Sequence, residues 1–154
     1  MDNRYYNLWD TECNETVGTS ITTARFEFVT KSVYDPCPPG FCLPPNGAFT
    51  GFTSTGNNTG NYSEWNVFGS FDKGWHFRTV LKNESGGETI FFPASSCRNN
   101  YDGSLNGVGN FGYYLSAVPN TTYNGCFLNF FSYRVYPQDY TYRSYGLSVR
   151  PVME

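Results

Sequence analysis

The chain has 154 residues, a formal net charge of −3 at pH 7 and a pI near 5.1. That length reads as a single domain over 1–154, long enough to bury a real core. The acidic balance lacks the basic stripe of a nucleic-acid footprint, so no nucleic-acid partner is expected. No apolar run approaches the ~20 residues of a membrane helix, so the chain is not expected to span a bilayer.

The N-terminal MDNRYYNLWD lacks the charged-then-apolar pattern of a secretory signal, so no signal peptide is read in this chain. Export within a longer precursor, assembly inside the cell and an excised fragment all stay open. Tyr5, Tyr6, Leu8 and Trp9 form an aromatic opening, and a polar run follows from Asp10 to Ser20. In TTARFEFVT, Thr22–Thr30, Phe26 and Phe28 alternate with Glu27 and Val29, which predicts an early strand. Prolines exclude regular helix from Val33 to Pro45 and predict a rigid, folded-back loop. Asn46 to Phe52 has room for a short helical turn, and Thr53 to Ser63 reads as a polar surface loop.

Trp65–Phe71 and Trp75–Val80 flank Asp72-Lys73-Gly74, a β-hairpin signal. A turn over Asn83–Glu88 leads into a strand at Thr89–Phe92. Further strands are expected at Gly112–Ser116, Cys126–Ser132 and Leu147–Val152, separated by turn-rich loops. No long window carries a clean helical period. The expected class is therefore α+β, sheet-dominated with little helix.

Five cysteines, Cys13, Cys37, Cys42, Cys97 and Cys126, cannot all pair internally. Cys37 and Cys42 flank Pro38-Pro39-Gly40-Phe41 and are either a disulfide or two thiols. A metal site is not expected, since His76 is the sole histidine and no second close cysteine pair completes four ligands. Asn-X-Ser/Thr triplets begin at Asn14, Asn57, Asn61, Asn83 and Asn120, but a chain this rich in Asn, Ser and Thr produces them by chance.

From Thr89 to Val152 there is no Lys, Glu, Trp or Met, and Gln138 is the lone glutamine. The preceding part has Lys31, Lys73, Lys82, Glu27, Glu64, Trp65 and Trp75. Ordered-looking runs, Ile90–Ala94 and Gly146–Val152, bracket this stretch. Between them Tyr, Asn, Ser and Gly accumulate, the composition of antibody paratopes, where tyrosine gives large amphipathic contact at low entropy cost.

At DPCPPGF (Asp35–Phe41), GAFTGFTSTG (Gly47–Gly56), IFFPASSCRN (Ile90–Asn99), GYYLSA (Gly112–Ala117) and RSYGLSVRPV (Arg143–Val152) the chain resembles the Bacteroidetes major-paralogous domain. Within that family it is similar to the variable proteins of diversity-generating retroelements. The resemblance implies a C-type-lectin-like fold, a fixed scaffold and a variable region at about 90–152. Adenine-directed mutagenesis of AAY-type codons yields Asn, Tyr, Ser, Thr, Asp, Phe, Cys and Arg but not Lys, Glu, Gln, Trp or Met, which is the bias seen here. The family usually has an aromatic residue where this chain has Leu115, and Gly-Tyr where it has Ser96-Cys97. The Glu-Pro-Asn and Trp-Asn-Asp triplets of calcium-dependent sugar-binding lectins are absent, so that mode of sugar binding is not implied, and no cofactor is expected.

Candidate ligand-binding residues are Asn99, Tyr101, Asn110 and Asn120 in the first half of this stretch. Tyr123, Asn124, Phe127 and Asn129 follow, then Tyr133, Tyr136, Tyr140 and Tyr142. Asn120, Tyr123, Tyr136, Tyr140 and Tyr142 are expected to share one face, whereas Phe92, Tyr113, Leu128 and Phe130 read as core. Arg143 and Arg150 fall in the fixed motif and read as framework. The expected partner is a protein or glycan on another cell, met from a bacterial surface or a phage virion.

No enzyme is expected. A nucleophile–imidazole arrangement would have to use His76, which sits mid-hairpin like a half-buried sheet residue. Glu64, Asp72, Glu84 and Glu88 lie near turns, where solvated carboxylates are the rule. Formylglycine-generating enzymes share the C-type-lectin-like fold and use a cysteine pair, for which Cys97 and Cys126 are the candidates; Arg98 alone offers nearby positive charge. A pilus or fibre-tip subunit is the other alternative.

Overall fold

The computed structural model describes residues 8–13, 17–82 and 84–154. Tyr5 and Tyr6 of the aromatic opening, and the triplets at Asn14 and Asn83, lie outside them. In chain order the strands are β1 Phe41–Cys42, β2 Val67–Phe68, β3 Gly74–Arg78, β4 Thr89–Pro93, β5 Cys97–Arg98, β6 Leu105–Asn106, β7 Gly112–Pro119, β8 Asn124–Phe131, β9 Arg134–Tyr142, β10 Gly146–Leu147 and β11 Val152–Met153. The described helices are short 3-10 turns at Ile21–Thr23, Asn46–Phe52 and Tyr62–Glu64. The protein is sheet-dominated with little helix, as composition and periodicity predict. No helix among the described residues is long and apolar enough to cross a membrane.

The antiparallel sheet β7–β8–β9 dominates. Tyr114, Leu128, Phe130 and Val135 face the core from it, and the sheet β2–β3–β4 supplies Trp75, Phe77 and Phe92. Phe77, Leu128, Phe130 and Val135 are fully buried. The rings interlock rather than merely touch: Phe77 meets Phe130 edge-on at 5.5 Å between centroids and Phe92 at 5.6 Å. Phe52, from the 3-10 turn, stacks on Phe77 at 4.0 Å. Such pairs add about 0.5–1.5 kcal/mol beyond area burial. Trp75 is buried, and its indole N–H reaches the Phe131 carbonyl at 2.8 Å.

The hairpin expected around Asp72-Lys73-Gly74 forms, with shorter strands than expected; Lys73 takes the left-handed conformation at φ 51° that the turn requires. The predicted strand at Thr22–Thr30 does not form. Its first residues wind into the 3-10 turn, with Thr23 and Ala24 N–H bonded to Ser20 O and Ile21 O. Two further donors go to side chains, Arg25 N–H to Asn46 Oδ1 at 2.8 Å and Thr30 N–H to Asp10 Oδ1 at 3.1 Å. Phe26 and Phe28, the alternating aromatics, are exposed, and Val29 is buried. The strand expected over Leu147–Val152 is instead split between β10 and β11. Between these strands Ser148 runs beside β7, donating to Tyr113 O at 3.1 Å and accepting from Leu115 N at 2.9 Å.

The proline loop folds back around Asp35, whose carboxylate accepts Cys37 N–H at 2.7 Å and Leu43 N–H at 2.9 Å. Lys31 Nζ gathers the carbonyls of Cys37, Pro38 and Phe41 on the other side. The loop ends in β1, which pairs with β11. Cys37 and Cys42 are buried thiols rather than a disulfide.

Sequence reading missed β9 altogether, because Pro137 cannot donate to a ladder and argues against a strand. The structure places Pro137 at a register shift: Phe127 pairs with Asp139, but Asn129 pairs with Tyr136. The proline therefore occupies a bulge, where no ladder bond is demanded of it.

Candidate functional site

Alternation along β8 gives its sheet two faces. Leu128 and Phe130 point into the core, and Phe127 and Asn129 point the other way. On this second face Tyr113 of β7 and Asp139 and Thr141 of β9 join them, and they line a cleft of about 310 Å³. The opposite wall comes from the small sheet β10–β5–β6 through Cys97, Asn106 and Leu147, with Asn99, Phe111 and Tyr145 alongside. Ser96 aims this wall. It is buried with φ 66°, its N–H donates to Phe111 O at 2.7 Å, and its hydroxyl bonds the Asn106 carbonyl.

Asn129 and Asp139 are hydrogen-bonded to each other among the aromatic side chains. Asn129, 3% exposed, donates from Nδ2 to Asp139 Oδ2 at 2.7 Å, and its Oδ1 has no partner. Tyr140 N–H donates to Asp139 Oδ1 at 2.9 Å. Asp139 is the sole charged residue of the lining. Tyr113 and Phe127 meet edge-on at 5.5 Å, and Phe111 leans on Tyr113 at 6.1 Å. Beside the cleft the Arg134 guanidinium lies over Phe131 at 4.1 Å and Tyr136 at 4.7 Å.

Burial pushes the Tyr113 hydroxyl up to about 12, with Cys97 and Asp139 adding smaller upward contributions and Arg134 opposing them. Because its folded-state value lies above the ordinary one, the neutral phenol stabilises the fold below pH ~10. That contribution is lost as pH rises through about 12. Phenolate absorbance in Tyr113→Phe, compared with the parent, is expected to remove a late-titrating component, and the parent should lose stability over that window.

Asn99, Phe127, Asn129 and Tyr140, all expected from sequence, line the cleft. The other candidates lie elsewhere. Tyr101, Tyr123 and Tyr133 are exposed at the tips of turns, and Asn110 is exposed before β7. Asn120 is a structural residue, its amide donating to Val17 O at 2.8 Å. Asn124 is half-buried at the start of β8, its carbonyl taking Arg143 Nε–H at 3.3 Å. Tyr136 is half-buried under Arg134.

The single face expected for Asn120, Tyr123, Tyr136, Tyr140 and Tyr142 does not exist. Tyr142 pairs with Asn124 and Tyr140 with Cys126, but Tyr136 pairs with Asn129 across the bulge. Paired residues share a face and successive residues of β8 do not, so the inserted residue reverses the parity. Tyr142 thus projects away from the side of Asn129, and Tyr140 borders the cleft from the edge strand.

Phe92, Leu128 and Phe130 are core as expected, whereas Tyr113 is half-buried in the cleft. Sequence reading also missed Asp139 and Thr141, which reach this face through the register shift at Pro137. Arg143 and Arg150, read as framework, donate to main-chain carbonyls, Arg143 to Thr121 O at 3.1 Å and Arg150 to Phe91 O at 3.3 Å. His76 is exposed rather than half-buried, lying 4.8 Å from the Phe91 ring.

Burial raises the thiols of Cys37 and Cys126 to about 12 and also raises Cys42 and Cys97. Cys126 is fully buried and points to the opposite side of β8 from Phe127. Alkylation of the native protein at pH 8 followed by peptide mass mapping is expected to label Cys97 first. Cys126 should react only after denaturation; rapid modification of both would restore the reactive-pair alternative.

A second groove of about 550 Å³ lies on framework segments, lined by Phe49, Phe52, Ile90, Phe92 and Arg150 among others. Comparison of the chain with protein-family models, with curated proteins and with solved structures finds no match in any of the three.

Proposed function

We propose that this protein is a surface-displayed ligand-binding module with a C-type-lectin-like fold, the variable protein of a diversity-generating retroelement, and that the β7–β8–β9 cleft is its recognition site. One observation carries the reading. Every residue lining the cleft comes from Cys97 to Leu147, inside the stretch that lacks Lys, Glu, Trp and Met. The interlocked core draws Phe49, Trp65, Trp75 and Phe77 from outside that stretch, so cleft side chains can change with the frame intact. The backbone at Ser96 adds support, because its φ of 66° suits the glycine usual there in the family. The partner is a protein or glycan on another cell, and the carrier a bacterial surface or phage virion.

A fibre-tip subunit is the second reading. Phe28 at 89% and Val33 at 90% exposure are apolar surface outside the cleft that a neighbouring subunit would cover. Sequencing the locus in sibling isolates separates the two. Under the binding reading, differences concentrate at cleft positions such as Asn99, Asn106, Tyr113, Asn129 and Asp139, beside a near-identical template repeat and a reverse transcriptase gene. Invariance over 90–152 with no such repeat overturns it in favour of the subunit.

A further inference from the structure

We infer that the cleft takes an organic cation, an alkyl ammonium or guanidinium such as the end of a lysine or arginine side chain on a protein partner, held by Asn129 Oδ1 and Asp139. The inference rests on the reading of the cleft as a recognition site.

Its floor offers acceptors. Asn129 is nine-tenths buried, and the Asp139 carboxylate it faces can only accept, so the amide must present Nδ2 to Asp139. That orientation leaves Oδ1 as an acceptor without a partner in the cleft lining. A buried carbonyl oxygen left unbonded is costly, and a ligand donor would recover that cost.

The charge points the same way. Asp139 is half-buried, accepts two hydrogen bonds from neutral groups, and forms no ion pair among the described residues. Of the two arginines near it in sequence, Arg134 lies over the Phe131 and Tyr136 rings, and Arg143 donates to the Asn124 and Thr121 carbonyls. Tyr113 and Phe127 supply aromatic walls, whose π faces attract cations most strongly where water is excluded. A neutral polyol would satisfy the acceptors and leave the carboxylate without a counter-charge; an ammonium or guanidinium supplies donors and charge together.

The test titrates 15N-labelled protein with n-butylammonium and n-butylguanidinium, with n-butanol and methyl glycosides as neutral comparators, following the side-chain amide of Asn129 by NMR. The expected result is saturable shifts with the cations alone, weakened at least tenfold in Asp139→Asn, an isosteric variant that keeps the Asn129 contact. Thermal unfolding checks that the variant folds, and weakening of the parent's cation binding by added salt gives an independent readout should it not. Shifts at Asn129 with glycosides but not cations overturn the inference while leaving the binding module standing. Silence from every probe, or full cation binding in Asp139→Asn, overturns it too. Failure of the recognition reading itself would show separately, as invariant sibling sequences.

Discussion

Phe130→Ala is expected to remove about 3–5 kcal/mol, the range for deleting a fully buried aromatic side chain. Phe130 has no exposed surface, meets Phe77 edge-on at 5.5 Å and stacks parallel to Tyr114 at 6.2 Å. It is thus the joint between the two main sheets. A domain of this size holds about 5–15 kcal/mol in total, so the urea midpoint should fall sharply with little change in slope. Loss of less than about 1 kcal/mol would mean that the joint lies elsewhere. The site also predicts a coupling. A Cβ on Gly112 would sit 2.0 Å from the Phe130 ring, so Gly112→Ala alone forces the ring aside. Once Phe130 is alanine the added methyl enters empty space, and the pair should destabilise by less than the sum of the singles.

Gln138→Leu is expected to cost about 2–4 kcal/mol although the substituted side chain is apolar and of similar size. Gln138 is fully buried at the bulge of β9. Its Nε2 donates to Gly56 O at 3.2 Å, and its Oε1 accepts from Asn46 Nδ2 at 3.3 Å. Leucine would strand both partners, one of them on the buried Asn46. The main chain of Gln138 is held on both sides by Asn58, at 3.0 Å each way, so the bulge itself should persist. Thermal unfolding reads the cost directly, and a variant as stable as the parent would show that water takes over these partners. The same position gives the lone glutamine of the Thr89–Val152 stretch a physical reason: its amide bridges two segments of the frame.

How far sequence reading reached follows from which forces were local. The hairpin at Asp72-Lys73-Gly74, the turn at Asn46–Phe52 and the strands at Thr89, Gly112 and Cys126 were legible because turn chemistry and short-range periodicity specify them. Thr22–Thr30 had the same alternation and failed. Two of its donors go to side chains remote in sequence, those of Asp10 and Asn46, and its first residues wind into a 3-10 turn. β9 was hidden by Pro137, and with it Asp139, the one charge in the cleft. Asn99, Phe127, Asn129 and Tyr140 were reachable from composition and alternation. The face shared by the tyrosines was not, because a single inserted residue reverses it and nothing in the local residue types announces where the insertion falls.

The pairing of β1 with β11 has a mechanical corollary. Thr89 enters the cleft-bearing stretch already paired with Arg78, and Val152 leaves it paired with Cys42, so both ends of the span are moored to chain that precedes it. A segment tethered this way bears alterations in its middle the way a bridge deck bears traffic: the piers set the line, and a new load at mid-span is felt between the supports and not beyond them.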